Sequence, residues 1–289
     1  MDSTVYYFPP DITKIGDNLL TWDIAHEASR AHARLIYVST PTVAGVLERF
    51  GIDNIEFRHV ASEPASFRLA RSLRPRGGVI DLQQLNAWLD WPAYRHLFDT
   101  PIHPRATREW DDPDSVRRWG SAHFAEIFRD MLDLPDQGRS RPALRTTGTP
   151  GARLLLFPHA MTGSQQLGCW RDVAALASTR APTAVVGLSA VREQAAWPPG
   201  VDVLTDLAGG ELVDLIASAR ACIGGSTGLS HVAAELGRPV LFVWGCDTST
   251  TFRPVRTATA RHLLAGQLTD DQLLAAIGAF IDAEMAPAH

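Results

Sequence analysis

Between Gly224 and Gly245 the chain reads GGSTGLSHVAAELGRPVLFVWG. Two glycines, two hydroxyls and a histidine stand directly before an apolar, helix-like run. A helix needs one N-cap, and this stretch offers several small polar residues in a row. A strand ending in CIGG can turn tightly at Gly224 and Gly225, where the missing Cβ also permits close backbone approach. Ser226 and Thr227 add hydroxyls, and Gly228 adds an exposed N–H. A helix over LSHVAAELG then aims its unsatisfied N–H groups at the loop. Such an end attracts phosphate through both its donors and its dipole. The surplus of polar groups points to an anionic ligand. A plainer use stays open: Ser226 or Thr227 caps the helix, and His231 fills space on its first turn. The GxxxxGK[ST] spacing of the ATPase-type phosphate loop is absent at this position.

The elements that must carry this loop are legible around it. In the second half, RLLLFPHA reads as strand and loop, CWRDVAALASTR as helix, TAVVGLS as strand and loop, and GELVDLIASARA as helix. CIGG ends a further strand and PVLFVWG forms the next. TDDQLLAAIGAFIDAEM reads as a closing helix with Thr269 as its N-cap. In the first half, VYYF reads as a strand, and apolar residues at Leu19, Leu20, Ile24 and Ala28 predict a helix beginning near Asp17. RLIYVST predicts a buried strand, PTVAGVLERFG a helix stopped by Gly51, and GVIDLQQL a strand and turn. Strand–helix alternation favours parallel sheets flanked by helices. Residues 86–119 interrupt it with Trp88, Trp91, Tyr94, Trp110 and Trp119. PDQGRSRPALRTTGTPGAR has the composition of a linker. The expected organisation is α/β, with two Rossmann-like domains, 1–150 and 151–289, facing a cleft.

Composition narrows the function classes. With 289 residues the chain has room for two domains. A net charge of −5 provides no basic field for a nucleic acid or an anionic membrane. Apolar runs such as Val240 to Trp244 are too short to cross a bilayer. The opening MDSTVYYFPPD lacks the basic and apolar regions of a secretion signal. Cys169, Cys222 and Cys246 form no CxxC pair, which argues against a disulfide framework or a cysteine zinc site. These features favour the cytoplasm and no stable membrane anchor; a monomer or homodimer is the expectation for assembly. His159 and His231 have no second ligand at metal spacing, so no metal is expected.

GGSTGLSHVAAELGRPVLFVWG resembles the C-terminal signature of the lipopolysaccharide heptosyltransferase family, with Thr227, Gly228, His231, Ala233, Ala234, Gly237 and Pro239 in register. Three further segments resemble that family in order: KIGDNLLTWDIAHEASRAHARLIYVST, LLLFPHAMTGSQQLGCWRDVAALA and DLAGGELVDLIASARACIGG. The resemblance implies the GT-B architecture and an inverting glycosyltransferase using a nucleotide-sugar donor, ADP-heptose in the family. The catalytic base it implies is Asp17, with Gly16 allowing the acceptor to approach the backbone. Asp17 also reads as the N-cap of a helix starting at Asn18, and both roles can hold. A carboxylate at a helix N-terminus tends to stay ionised. For the donor, the resemblance nominates Gly225, Ser226, Thr227, Gly228, Leu229, Ser230 and His231. It adds His159, Met161 and Thr162 from the loop after LLLF, Leu207 against the adenine, and Ser189 toward the ribose.

Two departures stand out. Ser226 replaces the signature Asp, and GSQQLGCW lacks the Lys that relatives carry before the Trp. Arg253, or a basic residue of the first domain, is a candidate substitute for that charge. The acceptor is expected to offer a hydroxyl or an amine, on a small secondary-metabolite intermediate or on a lipid-linked sugar. A nucleotide-sugar epimerase or hydrolase, and a non-catalytic nucleotide or glycan binder, are the competing readings.

Overall fold

A computed structural model describes residues 4–83, 122–132, 142–159, 167–188, 196–245 and 252–286. The aromatic segment 86–119, Met161, Thr162, Ser189 and Cys246 lie outside the described residues. By internal contacts the chain divides into two units, Met1–Pro142 with Thr250–Phe252, and Ala143–Ser249 with Arg253–His289.

The first unit begins with β1 (Thr4–Phe8), α1 (Ile15–Leu20), α2 (Trp22–Ala31), β2 (Arg34–Ser39) and α3 (Pro41–Leu47). A 3-10 turn at Glu48–Phe50 then stops at Gly51, whose φ of 62° lies in the left-handed region. Next come β3 (Ile55–His59), α4 (Glu63–Leu73), β4 (Val79–Asp81) and, further on, α5 (Phe124–Met131). The four strands form one parallel sheet in the order β3-β2-β1-β4. Strand alternation places Tyr7 and Phe8 on opposite faces, and both are buried. Phe8 and Val38 pack with Ala70 and Leu73 of α4. Tyr7 stacks on Tyr37 at 5.1 Å, and Trp22 stacks on Phe50 at 5.1 Å. Arg129 of α5 donates to Asp23 at 3.2 Å and Glu27 at 2.8 Å, tying α5 to α2 through a buried guanidinium.

The second unit contains β5 (Leu154–Phe157), α6 (Trp170–Ser178), β6 (Thr183–Gly187), β7 (Val201–Thr205) and α7 (Gly209–Ser218). It continues through β8 (Ala221–Gly224), α8 (Gly228–Glu235), β9 (Val240–Trp244), β10 (Ala260–Leu264) and α9 (Asp270–Met285). Its six strands are all parallel, in the order β10-β9-β8-β5-β6-β7. One face, carrying Leu154, Leu156, Val185, Ile223, Leu241 and Val243, packs against α6 and α9. Thr269 caps α9 as expected, in a reciprocal capping box with Gln272.

Both sheets share one topological feature. The first runs outward from β1 through β2 to β3, then returns on the other side of β1 as β4. The second runs from β5 through β6 to β7, then returns on the other side of β5 as β8. Each therefore has a switch point, the place outside the carboxyl ends of parallel strands where ligands bind. For the first sheet it is the loop leaving β1. For the second it is the pair of loops leaving β5 and β8.

Candidate donor loop and candidate base

In the second unit, Gly224 of β8 stands opposite Phe157 of β5, and the Gly225 N–H donates to the Phe157 carbonyl at 3.3 Å. The chain then tightens, with the Thr227 N–H donating to the Gly225 carbonyl at 2.8 Å. Thr227 is the N-cap of α8, and its Oγ1 accepts from the Ser230 N–H. The plainer capping role is thus real for Thr227. Ser230 is fully buried and its hydroxyl donates to the Gly225 carbonyl at 2.9 Å. The side chain expected to face the donor instead fastens the loop from below. The N–H groups of Ser226, Gly228 and Leu229 meet no acceptor among the described residues. These are the donors left for an anion. Gly224 has no room for a side chain: a Cβ there would overlap Ser230 Oγ and lie 2.8 Å from Phe157 Cβ.

His231 is 4% exposed and meets Phe242 edge-on at 5.3 Å, so it is packed beneath the loop. The helix ends at Gly237, with a φ of 66°. Its N–H donates to the Ala234 carbonyl and that of Arg238 to the Ala233 carbonyl, the Schellman arrangement. Pro239 then prevents continuation. The Gly-x-Pro spacing is therefore a stop signal for α8. His159 follows β5 at the same switch point. It is half-buried, and its Nδ1 has no partner among the described residues. Leu207, half-buried, follows β7 directly after Asp206, a non-glycine residue at φ 59°. Arg253 lies near enough to His262 for its charge to add to the lowering of the imidazole pKa that burial begins.

In the first unit, Asp17 is the third residue of α1 and not its N-cap, because the helix begins at Ile15 with Lys14 at the cap position. The Asp17 carbonyl accepts from the Thr21 N–H and hydroxyl. Its carboxyl is 18% exposed and lies 3.9 Å from the Lys14 ammonium. Burial pushes this carboxyl up to about 6, Lys14 opposes the rise, and Asp11 adds to it. The expected dipole effect, which favours ionisation, is outweighed by burial in so short a helix. Gly16 is buried.

Sequence reading missed the residues that build this corner. Lys14 also reaches Asp11 at 3.3 Å, and Asp11 accepts from the Thr13 N–H and hydroxyl at 2.8 and 2.6 Å. Asn18 is wholly buried. Its amide donates to the Asp11 and Lys14 carbonyls at 2.6 and 2.7 Å, and its Oδ1 accepts from the Tyr37 hydroxyl at 2.6 Å. The available signal was the spacing of charge at 11, 14 and 17, every third residue.

Among the described residues no group of three or more His, Cys, Asp or Glu could hold a metal ion. No described helix is long and apolar enough to cross a membrane.

Two parallel α/β sheets, each with its topological switch point, define a GT-B class of fold. Residues 179–270 match the model of glycosyltransferase family 9 (heptosyltransferase). The chain is 32% identical over 197 residues to lipopolysaccharide heptosyltransferase 1 of Pseudomonas aeruginosa, covering 58% of this chain and 54% of that protein. It spans about half the length of the curated relative it matches. Two solved structures share the fold. One is E. coli heptosyltransferase WaaC with ADP, with a TM-score of 0.61, 17% identity, and coverage of 97% of this chain and 99% of that one. The other is E. coli ADP-heptose lps heptosyltransferase II, with a TM-score of 0.63, 16% identity, and coverage of 98% and 100%.

Proposed function

We propose that this protein is an inverting glycosyltransferase that moves a sugar, heptose by analogy with its relatives, from an ADP-sugar to an acceptor hydroxyl or amine. The single observation that carries the reading is the placement of the two motifs. The Gly-Asp pair lies in the first turn of the helix that follows the switch-point loop of the first sheet, and the Ser-Thr-Gly loop lies at the switch point of the second. The first unit takes the acceptor and the second takes the donor. Asp17 removes the acceptor proton while that oxygen or nitrogen attacks the anomeric carbon from the face opposite the nucleotide. The bond from that carbon to the diphosphate oxygen breaks, and the diphosphate leaves toward the N-terminus of α8. The N–H groups of Ser226, Gly228 and Leu229, with the Ser226 hydroxyl and His159, stabilise the developing charge. By the family resemblance Met161 and Thr162 are assigned to the phosphates, Leu207 to the adenine and Ser189 to the ribose. No metal takes part.

A base with a pKa of about 6 is well matched to work near neutrality. The free-enzyme profile of kcat/KM should fall by about tenfold per pH unit below that value, because only the ionised carboxylate accepts a proton. A pH–rate profile with acceptor subsaturating checks this, and a flat acid limb down to about pH 4 counts against Asp17 as the base.

Calorimetric titration with ADP, UDP, GDP and dTDP tests the donor. Selective ADP binding, followed by donor cleavage that needs an acceptor, supports the reading. Cleavage without an acceptor identifies a hydrolase or epimerase, and no nucleotide binding identifies a non-catalytic chain.

A further inference from the structure

The corner around Asp17 contains a cation, Lys14. Lys14 Nζ lies 3.3 Å from Asp11 and 3.9 Å from Asp17. Its exposure is 36%, against 8% and 18% for the two carboxylates. An exposed ion pair contributes little, but here both acidic partners are largely withdrawn from water, where charges interact more strongly. The backbone holding the ammonium is also fixed. One Asn18 amide ties down the carbonyls at both ends of the Asp11–Lys14 turn, and Tyr37 ties down Asn18. Asp11 is anchored by both donors of Thr13.

We propose that Lys14 is the positioning residue of Asp17: its ammonium, clamped against the anchored Asp11, holds the Asp17 carboxylate in one place and in its charged form. This rests on the reading of Asp17 as the base. Asp11 is the fixed post, Lys14 the adjustable link, and Asp17 the group that meets the acceptor. Without the link, Asp17 faces the Asp11 charge without the opposing pull of Lys14.

Among the described residues, other charged groups also lie around this corner. Glu63, at the start of α4, feels both Asp11 and Lys14, and burial with Asp11 raises its pKa while Lys14 lowers it. α3, which packs on α1, carries no titratable side chain. α2, which also packs on α1, carries Asp23, His26, Glu27 and Arg30, of which Asp23 and Glu27 are bound by Arg129. Lys14 is therefore the cation whose removal bears most directly on Asp17.

The test is a carboxyl carbon NMR titration of aspartate-labelled protein, with the Asp17 signal assigned by its loss in Asp17→Asn. Lys14→Met should move the Asp17 midpoint to higher pH, and Lys14→Arg should return it toward the wild-type value. Asp11→Asn keeps an oxygen for Thr13 and releases Lys14 to Asp17, so it should move the midpoint the other way. A packing role for Lys14 predicts no such opposed pair of shifts. An unchanged midpoint in folded Lys14→Met and Asp11→Asn overturns the proposal. The titration needs no substrate, so it stays separate from the transferase reading. Opposed shifts in a protein that transfers no sugar leave the clamp standing and remove only the reaction.

Discussion

Replacing Asp17 with Asn is expected to lower sugar transfer by about 10²–10⁴-fold, the contribution of a positioned general base, while making the protein more stable. The two effects have one cause. Burial raises the folded carboxyl from 3.8 to about 6. A raised folded pKa means that the native state binds the proton more tightly than the unfolded chain does. The stability linked to that proton is fully present below about pH 3.8 and is lost as pH rises through about 6. At neutral pH the ionised carboxylate therefore costs about 1–3 kcal/mol, since each tenfold difference in proton affinity between the folded and unfolded states is worth about 1.4 kcal/mol, and the lower end allows for partial exposure. Asparagine removes the charge and keeps the shape. Denaturant titrations at about pH 7.5 and about pH 4 should show a gain for Asp17→Asn at the first and almost none at the second. Nucleotide binding should be retained, since the proposed donor loop belongs to the other unit. Undiminished turnover would remove the assignment of the base. Loss of stability at the higher pH would remove the account of why the carboxyl is raised.

The second large effect is expected at Gly224. Gly224→Ala should cost about 1–3 kcal/mol, the usual penalty of forcing a methyl into a filled site, and weaken nucleotide binding by about tenfold or more. The new Cβ would overlap Ser230 Oγ and stand 2.8 Å from Phe157 Cβ. Phe157 Cβ is held by its strand and has little freedom to retreat. Ser230 can turn aside only by giving up its bond to the Gly225 carbonyl, the bond that fastens the loop under the N-terminus of α8. The loop must then move, and with it the N–H groups of Ser226, Gly228 and Leu229. Gly224→Ala combined with Ser230→Ala removes the shorter clash but not the contact with Phe157. The pair should recover part of the stability and little of the binding. Calorimetry with ADP on both variants separates the two contributions. Full ADP affinity in Gly224→Ala would show that the loop does not hold the diphosphate.

Much of the fold was legible in the residues. The central strands β1, β2, β5, β6, β8 and β9 are apolar runs, and a buried strand must be apolar on both faces. Helix ends were legible where a side chain or a glycine performs the stop: Thr269 before α9, Gly51 after α3, Gly237 after α8. Strands β3, β7 and β10 were not legible. IEFRH, VDVLT and ARHLL carry charge and leave residues exposed, because each lies at the edge of its sheet. An edge strand needs one covered side only, so its composition is close to that of a loop.

The site divides along the same line. Residue types and order alone determined that a small polar loop precedes a helix, that a Gly-Asp pair opens another, and that the chain resembles a family of sugar transferases. Those are local properties, written in turn chemistry and capping. Only the tertiary structure decided what each side chain faces. It turned the Ser230 hydroxyl inward and made Thr227 the cap. It moved Asp17 from the cap position into the first turn of α1. It gathered Asp11, Lys14 and Asn18 around it, and brought in Tyr37 from the neighbouring strand to hold Asn18. The direction of a side chain and its depth below the surface depend on strands and helices distant in sequence, and a carboxyl's pKa depends on both.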